Sequence, residues 1–148
     1  MTARHPRRKT TAPRFARLPV KVLEHVAVTT LSHATFRIMA LLTAQYHGHN
    51  NGALAITRSQ AAENGIGSDH TLYDALRMLE EHGLIEQTYP ASRVPPRPTK
   101  YALTWMSVDD TSWSRSTRIP THTYRDWQPP RKPKLRIVKD SLKDVRKN

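Results

Sequence analysis

The residues whose spacing could do chemistry gather in "DHTLYDALRMLEE", residues 69 to 81. With Leu72, Leu76 and Leu79 as the buried centre, steps of about 100° per residue turn His70, Tyr73, Asp74, Arg77 and Glu81 outward. Asp74 then lies one turn from both His70 and Arg77 and can pair with either. Such a pair is either a weak surface salt bridge or a device for recognition. In the second case Asp74 orients Arg77 toward a guanine edge, or itself accepts a hydrogen bond from cytosine N4. Asp69 falls in the first turn, where the helix dipole favours a carboxylate, so a structural role is expected.

Other candidate chemistry is thin. His47 and His49 in "HGHNNG" could ligate a metal, but histidines in a polar turn are more often solvated, and no carboxylate is near in sequence. Glu80 and Glu81 are adjacent rather than facing. No glycine-rich loop follows a strand, and no local signature of a nucleophile with its base is present. The reading is therefore no enzyme, no cofactor, no metal and no small-molecule substrate.

Charge distribution is more telling. The 148 residues carry a formal net charge of +12. Residues 1 to 18 contribute +6, residues 19 to 90 contribute −3 and residues 91 to 148 contribute +9. Separated cationic arms suit nucleic acid, because each neutralised phosphate releases counterions. The first arm contains Arg7, Arg8 and Lys9, and the last segment, 131 to 148, holds eight basic and two acidic residues. In that segment Val138, Leu142 and Val145 share a helical face, so it reads either as a disordered DNA-binding arm or as a helix that forms on meeting a partner. With 37% hydrophobic residues and eleven prolines, the chain is expected to pack one modest domain and leave tails. The absence of cysteine removes disulfides and thiolate sites and suits a reducing compartment. No apolar run reaches signal-peptide or membrane length, so a cytoplasmic, nucleoid-associated protein without membrane contact is expected.

The elements that must position these residues are marked by their caps. "RLPVKVLEHVAV" places Val22, Leu23 and Val26 near helical spacing after Pro19. Ser32 caps a scaffold helix with Leu31 stapled to Phe36, and Phe36, Met39, Leu42 and Tyr46, with Ile38 and Leu41, form its apolar face up to Gly48. "ALAI" reads as a brief strand. Thr57 and Gln60 match a capping box, with Ile56 and Ala61 as staple, for a helix from about Arg58 to Asn64 ended by Gly65. Ser68 caps the next helix, whose stripe is Leu72, Ala75, Leu76 and Leu79 and whose stop is Gly83 with Leu84 packing back. "LIEQTY" and "KYALTW" have strand character, and "PASRVPPRPT" between them holds four prolines, Arg93, Arg97 and no acid.

On these residues, 19 to 105 resemble a winged helix-turn-helix domain, about three fifths of the chain. "LAITRSQAAENGIGSDHTLYDALRMLEEHGLI" is similar to the initiator-type and regulator-type winged helices of bacterial plasmids, phages and other mobile elements. A small-residue helix, a glycine turn, a Ser-capped helix and "LEExGLI" recur there, and "KYALTW" looks like their closing strand. The expected fold class is mainly α with a small β-wing (α+β), with a basic arm at 1 to 18 and a basic tail at 131 to 148. Segment 106 to 130, with Trp113, Tyr124 and Trp127, is expected to fold back on the domain as similar tails do, with base stacking the alternative.

The resemblance implies sequence-specific binding to double-stranded DNA, in regulation of transcription or replication. His70, Tyr73, Asp74 and Arg77 would meet base edges. Arg58, Ser59, Arg93, Arg97 and Lys100, with Arg7, Arg8 and Lys9, would meet phosphates, since base contacts specify while phosphate contacts position. Neutralising about six phosphates would give a log-log salt slope of roughly −5. Two alternatives remain at this point: a protein-interaction module with tethering tails, or RNA binding through the arms. A homodimer would have to pair through the first or scaffold helix, since no long heptad seam is visible.

Overall fold

The computed structural model describes residues 13–111, 113 and 117–132. Arg7, Arg8 and Lys9, and Val138, Leu142 and Val145 of the basic tail, lie outside the described residues.

The first apolar stretch forms two single-turn helices, α1 (Val20–Leu23) and α2 (Val26–Thr29), instead of one. The break has a local cause. His25 adopts extended backbone and its Nδ1 accepts a hydrogen bond from the Ala27 N–H at 3.1 Å, capping α2 and ending α1.

Helix α3 (His33–Gln45) starts where Ser32 Oγ accepts from the Thr35 N–H. Its buried face is Thr35, Ile38, Met39, Leu42 and Thr43, with Leu41 and Tyr46 partly buried against the core. Phe36, expected on the apolar face, is exposed instead, and two threonines take places in the buried face. Threonine can be buried here because its hydroxyl is satisfied locally. Thr35 Oγ1 bonds Ser32 Oγ at 2.8 Å and Thr43 Oγ1 donates to the Met39 carbonyl at 2.8 Å. The helix also stops short of Gly48. Asn50 Nδ2 donates to the Gln45 carbonyl at 2.9 Å, and the Gln45 amide clamps both backbone groups of Ala55.

Helices α4 (Arg58–Glu63) and α5 (Asp69–Glu81) follow their sequence signals closely. Thr57 and Gln60 form a reciprocal capping box, and Ser68 Oγ accepts from the Thr71 N–H. Both helices end in Schellman geometry on a left-handed glycine. At Gly65 the Ile66 N–H reaches the Ala61 carbonyl at 2.9 Å, and at Gly83 the Leu84 N–H reaches the Leu79 carbonyl at 2.9 Å.

Strands β1 (Ile85–Tyr89) and β4 (Lys100–Leu103) pair antiparallel, and between them β2 (Ser92–Arg93) and β3 (Pro96–Arg97) form a short hairpin. The ladder slips between Gln87 and Tyr89, and Thr88 Oγ1 there donates to the Gly52 carbonyl. "ALAI" contributes only an isolated bridge, Leu54 to Tyr101, extending the sheet by one residue pair. The architecture is α+β. Its core packs α3 on α5 and α5 on β1, with Ile38, Met39, Leu42, Leu72, Leu79, Leu84 and Leu103 all buried.

The segment after β4 is tied to this body by specific bonds. Asn51, fully buried in the turn after α3, accepts from the Leu103 N–H at 2.7 Å and donates to the carbonyls of Leu103 and Ser107 at 3.0 Å. Val108 bridges Arg118, and Arg118 reaches Glu86 on β1 at 2.9 Å. A single 3-10 turn, η1 (Thr123–Asp126), then lands on the end of α5. Tyr124 is buried in the core cluster, and Trp127 stacks on the His82 ring at 3.8 Å. His82 Nδ1 lies 2.7 Å from the Ala27 carbonyl, which links the end of α5 to α2. Among the described residues no helix is long and apolar enough to cross a membrane.

Candidate nucleic-acid interface

Helix α5 is exposed along the face the spacing indicates, and that face is laced with ion pairs. His70 Nε2 lies 3.0 Å from one oxygen of Asp74, and Arg77 Nη2 donates to the other at 3.0 Å. Arg77 Nε is 4.0 Å from Glu81. Asp74 therefore serves both neighbours at once, using i,i+4 and i,i+3 geometry. All of these groups are substantially exposed, so each pair contributes little to stability. Their physical effect is to hold the His70 imidazole and the Arg77 guanidinium in place beside a carboxylate, leaving other donor hydrogens of Arg77 available.

Asp69 does more than complement the helix dipole. It accepts an ion pair from Arg58 at 3.1 Å, across from the start of α4. Arg58 also donates from Nε and Nη2 to the Tyr73 hydroxyl at 3.2 and 3.1 Å, with its Cζ 5.7 Å from the ring centroid. The Tyr73 hydroxyl, aided by Asp69, holds the Arg58 guanidinium even more firmly charged than arginine ordinarily is. The resemblance led to the expectation of Arg58 among phosphate contacts and Tyr73 among base contacts. The fold brings them together as a clip across the α4–α5 turn. Ser59 is exposed on the same first turn of α4.

The hairpin handles its charges differently. The Arg97 Cζ lies 4.8 Å from the Tyr89 ring centroid and 5.5 Å from that of Trp113, and Lys100 Nζ is 5.0 Å from Trp113. Tyr89 and Trp113 themselves meet edge to face at 5.2 Å. Arg97 is thus half-buried, its Nε enclosed without a hydrogen-bond partner, while its orientation is fixed by rings instead of a carboxylate. Arg93 is exposed near the hairpin tip.

Helix and hairpin face one another across a cleft of about 580 Å³. Arg58 and Tyr73 line one side, Ser92, Pro96 and Arg97 the other, and Ile56, Leu72, Leu76 and Tyr101 supply the apolar lining. Burial pushes the Tyr101 hydroxyl up to about 12, with the nearby Glu80 charge adding to the effect. Glu80 is raised too, by its own partial burial. Tyr101 is therefore a neutral wall of the cleft across the physiological range.

Two features escape sequence reasoning. Trp113 reads as one aromatic in a polar stretch, and nothing local indicates that it will stand beside Tyr89 and brace two hairpin cations. His82 follows a strong helix and precedes its glycine stop, yet it is buried and stacked. The only sequence hint is the recurrence of aromatics at 113, 124 and 127. His47 and His49 are exposed in their turn, and among the described residues no group of three or more histidines and carboxylates could hold a metal ion. Compared with models of known protein families, with curated proteins and with solved structures, the chain matches none.

Proposed function

We propose that this chain is a winged helix-turn-helix protein that binds double-stranded DNA in a sequence-dependent manner, without chemistry, in the regulation of transcription or replication of a mobile element. The observation that carries the reading is the cleft. The Arg58–Tyr73 clip, with Arg58 ion-paired to Asp69, stands on one side and an acid-free cationic hairpin on the other, with an arginine on each wall. With α5 in the major groove, the cleft would receive the phosphate strand separating that groove from the next. Arg58 and Arg97 would then flank the strand, and the hairpin would act as the wing.

The division of labour follows from charge. Carboxylates at Asp69, Asp74, Glu80 and Glu81 make α5 a poor source of electrostatic affinity, but base edges can be read by a neutralised face. Affinity would come from Arg93, Arg97, Lys100 and the basic arms. Binding of a random duplex library at two salt concentrations tests this directly. Arg77→Ala should relax the selected sequence, with a loss on unselected duplex that is small beside its loss on the selected one. Arg93→Ala with Arg97→Ala should weaken binding to all duplexes and flatten the salt slope by about 2. Equal effects of both changes on selected and unselected DNA would refute the division.

A further inference from the structure

Building on that duplex-binding reading, we propose that the hairpin tip is an apolar wedge. Val94 enters the duplex at a base step, partly unstacks it and bends the DNA about α5. The register carries the first part of the argument. Ser92 pairs with Arg97 and Arg93 with Pro96, so Val94 and Pro95 are the two residues at the tip. Val94 is 89% exposed, more than any other large apolar side chain among the described residues.

The tip is also stiff. Ser92 Oγ accepts from the Val94 N–H at 3.3 Å and lies 3.2 Å from the Val94 carbonyl, tying the turn to its own strand. Proline at 95 and 96 fixes φ on the return strand. Behind the tip, Tyr89 and Trp113 hold Arg97, so a load on the hairpin is passed to the sheet and to the segment after β4. A stiff apolar point can be driven between stacked groups, where a flexible one would fold aside.

Charge selects the occupant. From Gln87 to Val108 there is no acidic residue, and Arg93 flanks Val94 directly. The complementary surface is therefore polyanionic outside and apolar within, which is the description of stacked base pairs beneath two phosphate strands. Apolar wedges beside cations unstack duplex steps in this way, at least cost where a pyrimidine precedes a purine. Sequence preference would then arise at a position that no hydrogen bond reads.

The test uses the full chain and short duplexes with one central TA step in G·C-rich flanks, the adenine of that step replaced by fluorescent aminopurine. Wild-type protein should brighten the probe several-fold and bind the TA duplex roughly tenfold tighter than a matched duplex with AA at that place. Val94→Ser should bind both alike and leave the probe dark. Val94→Leu should keep both responses. Because Val94 is exposed, neither change should alter melting of the free protein, which serves as the folding control. If Val94→Ser gives the same brightening and preference as wild type, or if wild type binds duplex with no brightening, the wedge is wrong while DNA binding stands. If wild type binds no duplex even at low salt, both readings fall.

Discussion

On α5, each cation that faces outward answers to a carboxylate: His70 and Arg77 share Asp74, and Arg58 at the head of α4 is held by Asp69. On the hairpin, Arg97 and Lys100 lie against the rings of Tyr89 and Trp113, and no carboxylate occurs between residues 87 and 108. Both arrangements immobilise long cationic side chains, but they leave different fields behind. A carboxylate cancels the charge it orients, whereas an aromatic face orients the charge and leaves it unopposed. On the proposed DNA-binding reading, the α5 face would serve discrimination at hydrogen-bond range and the open charge of the hairpin would serve attraction at long range.

Both regions rest on the end of α5 and the segment after β4. The largest effect is expected at Gly83, which sets the end of α5 with φ +69. A Cβ there would lie 2.7 Å from the Thr123 carbonyl carbon and 2.8 Å from the Tyr124 nitrogen, backbone atoms that cannot swing aside. Gly83→Ala should lower stability by about 3 kcal/mol through left-handed strain and the displaced η1 turn. Denaturant midpoints measure it, and an unchanged midpoint would mean that α5 is not anchored by this contact.

Removing the hairpin's ring should matter less for folding and more for binding. Trp113→Ala deletes the face under Arg97 and Lys100, and a loss of about 1 kcal/mol in affinity for any duplex is expected, with the preference read by α5 intact. Titration of selected and unselected duplexes would show a parallel shift. A change confined to the selected duplex would place Trp113 with the readers instead.

The cleft between the two regions has its own pH signature. Tyr101 ionises near 12 in the fold and near 10 when unfolded. Its contribution to stability is therefore complete below about pH 10 and is lost as pH rises toward 12, because the unfolded chain ionises first. Tyr101→Phe should flatten that part of the alkaline stability curve. An unaltered slope between these limits would show that the hydroxyl is solvated in the cleft.

Asp74→Asn removes the charge shared by His70 and Arg77, and stability should change by less than about 1 kcal/mol because the pairs are exposed. Binding to unselected duplex should tighten modestly as α5 becomes more cationic, while the selected sequence loses preference. If preference survives, Asp74 does not position Arg77.

Much of the scaffold was legible because its information is local. A capping box needs only Thr57 and Gln60 three residues apart, and a Schellman stop needs only glycine at 65 and 83 with an apolar residue after it. The amphipathic stripe Leu72, Ala75, Leu76, Leu79 likewise follows from helical period alone. Where the reading slipped, a competing local bond decided the outcome. His25 capped a second helix where one was expected, and buried threonines displaced Phe36 once their hydroxyls found partners within their own turn. The candidate site was legible as a set of outward residues on α5. That Arg58 would be tied to Tyr73, or that Arg97 would lie between two rings, was not.

From residue order alone came the limits of α4 and α5, the acid-free hairpin and the outward placement of His70, Tyr73, Asp74 and Arg77, since each depends on neighbours within a turn or two of chain. Tertiary structure decided how the charges of Arg58 and Arg97 are held. That depends on partners far along the chain: Arg58 meets Tyr73 fifteen residues on, and Trp113 meets Tyr89 from beyond the sheet. Electrostatic character acts through space, and only the packed core brings those distant groups within reach of one another.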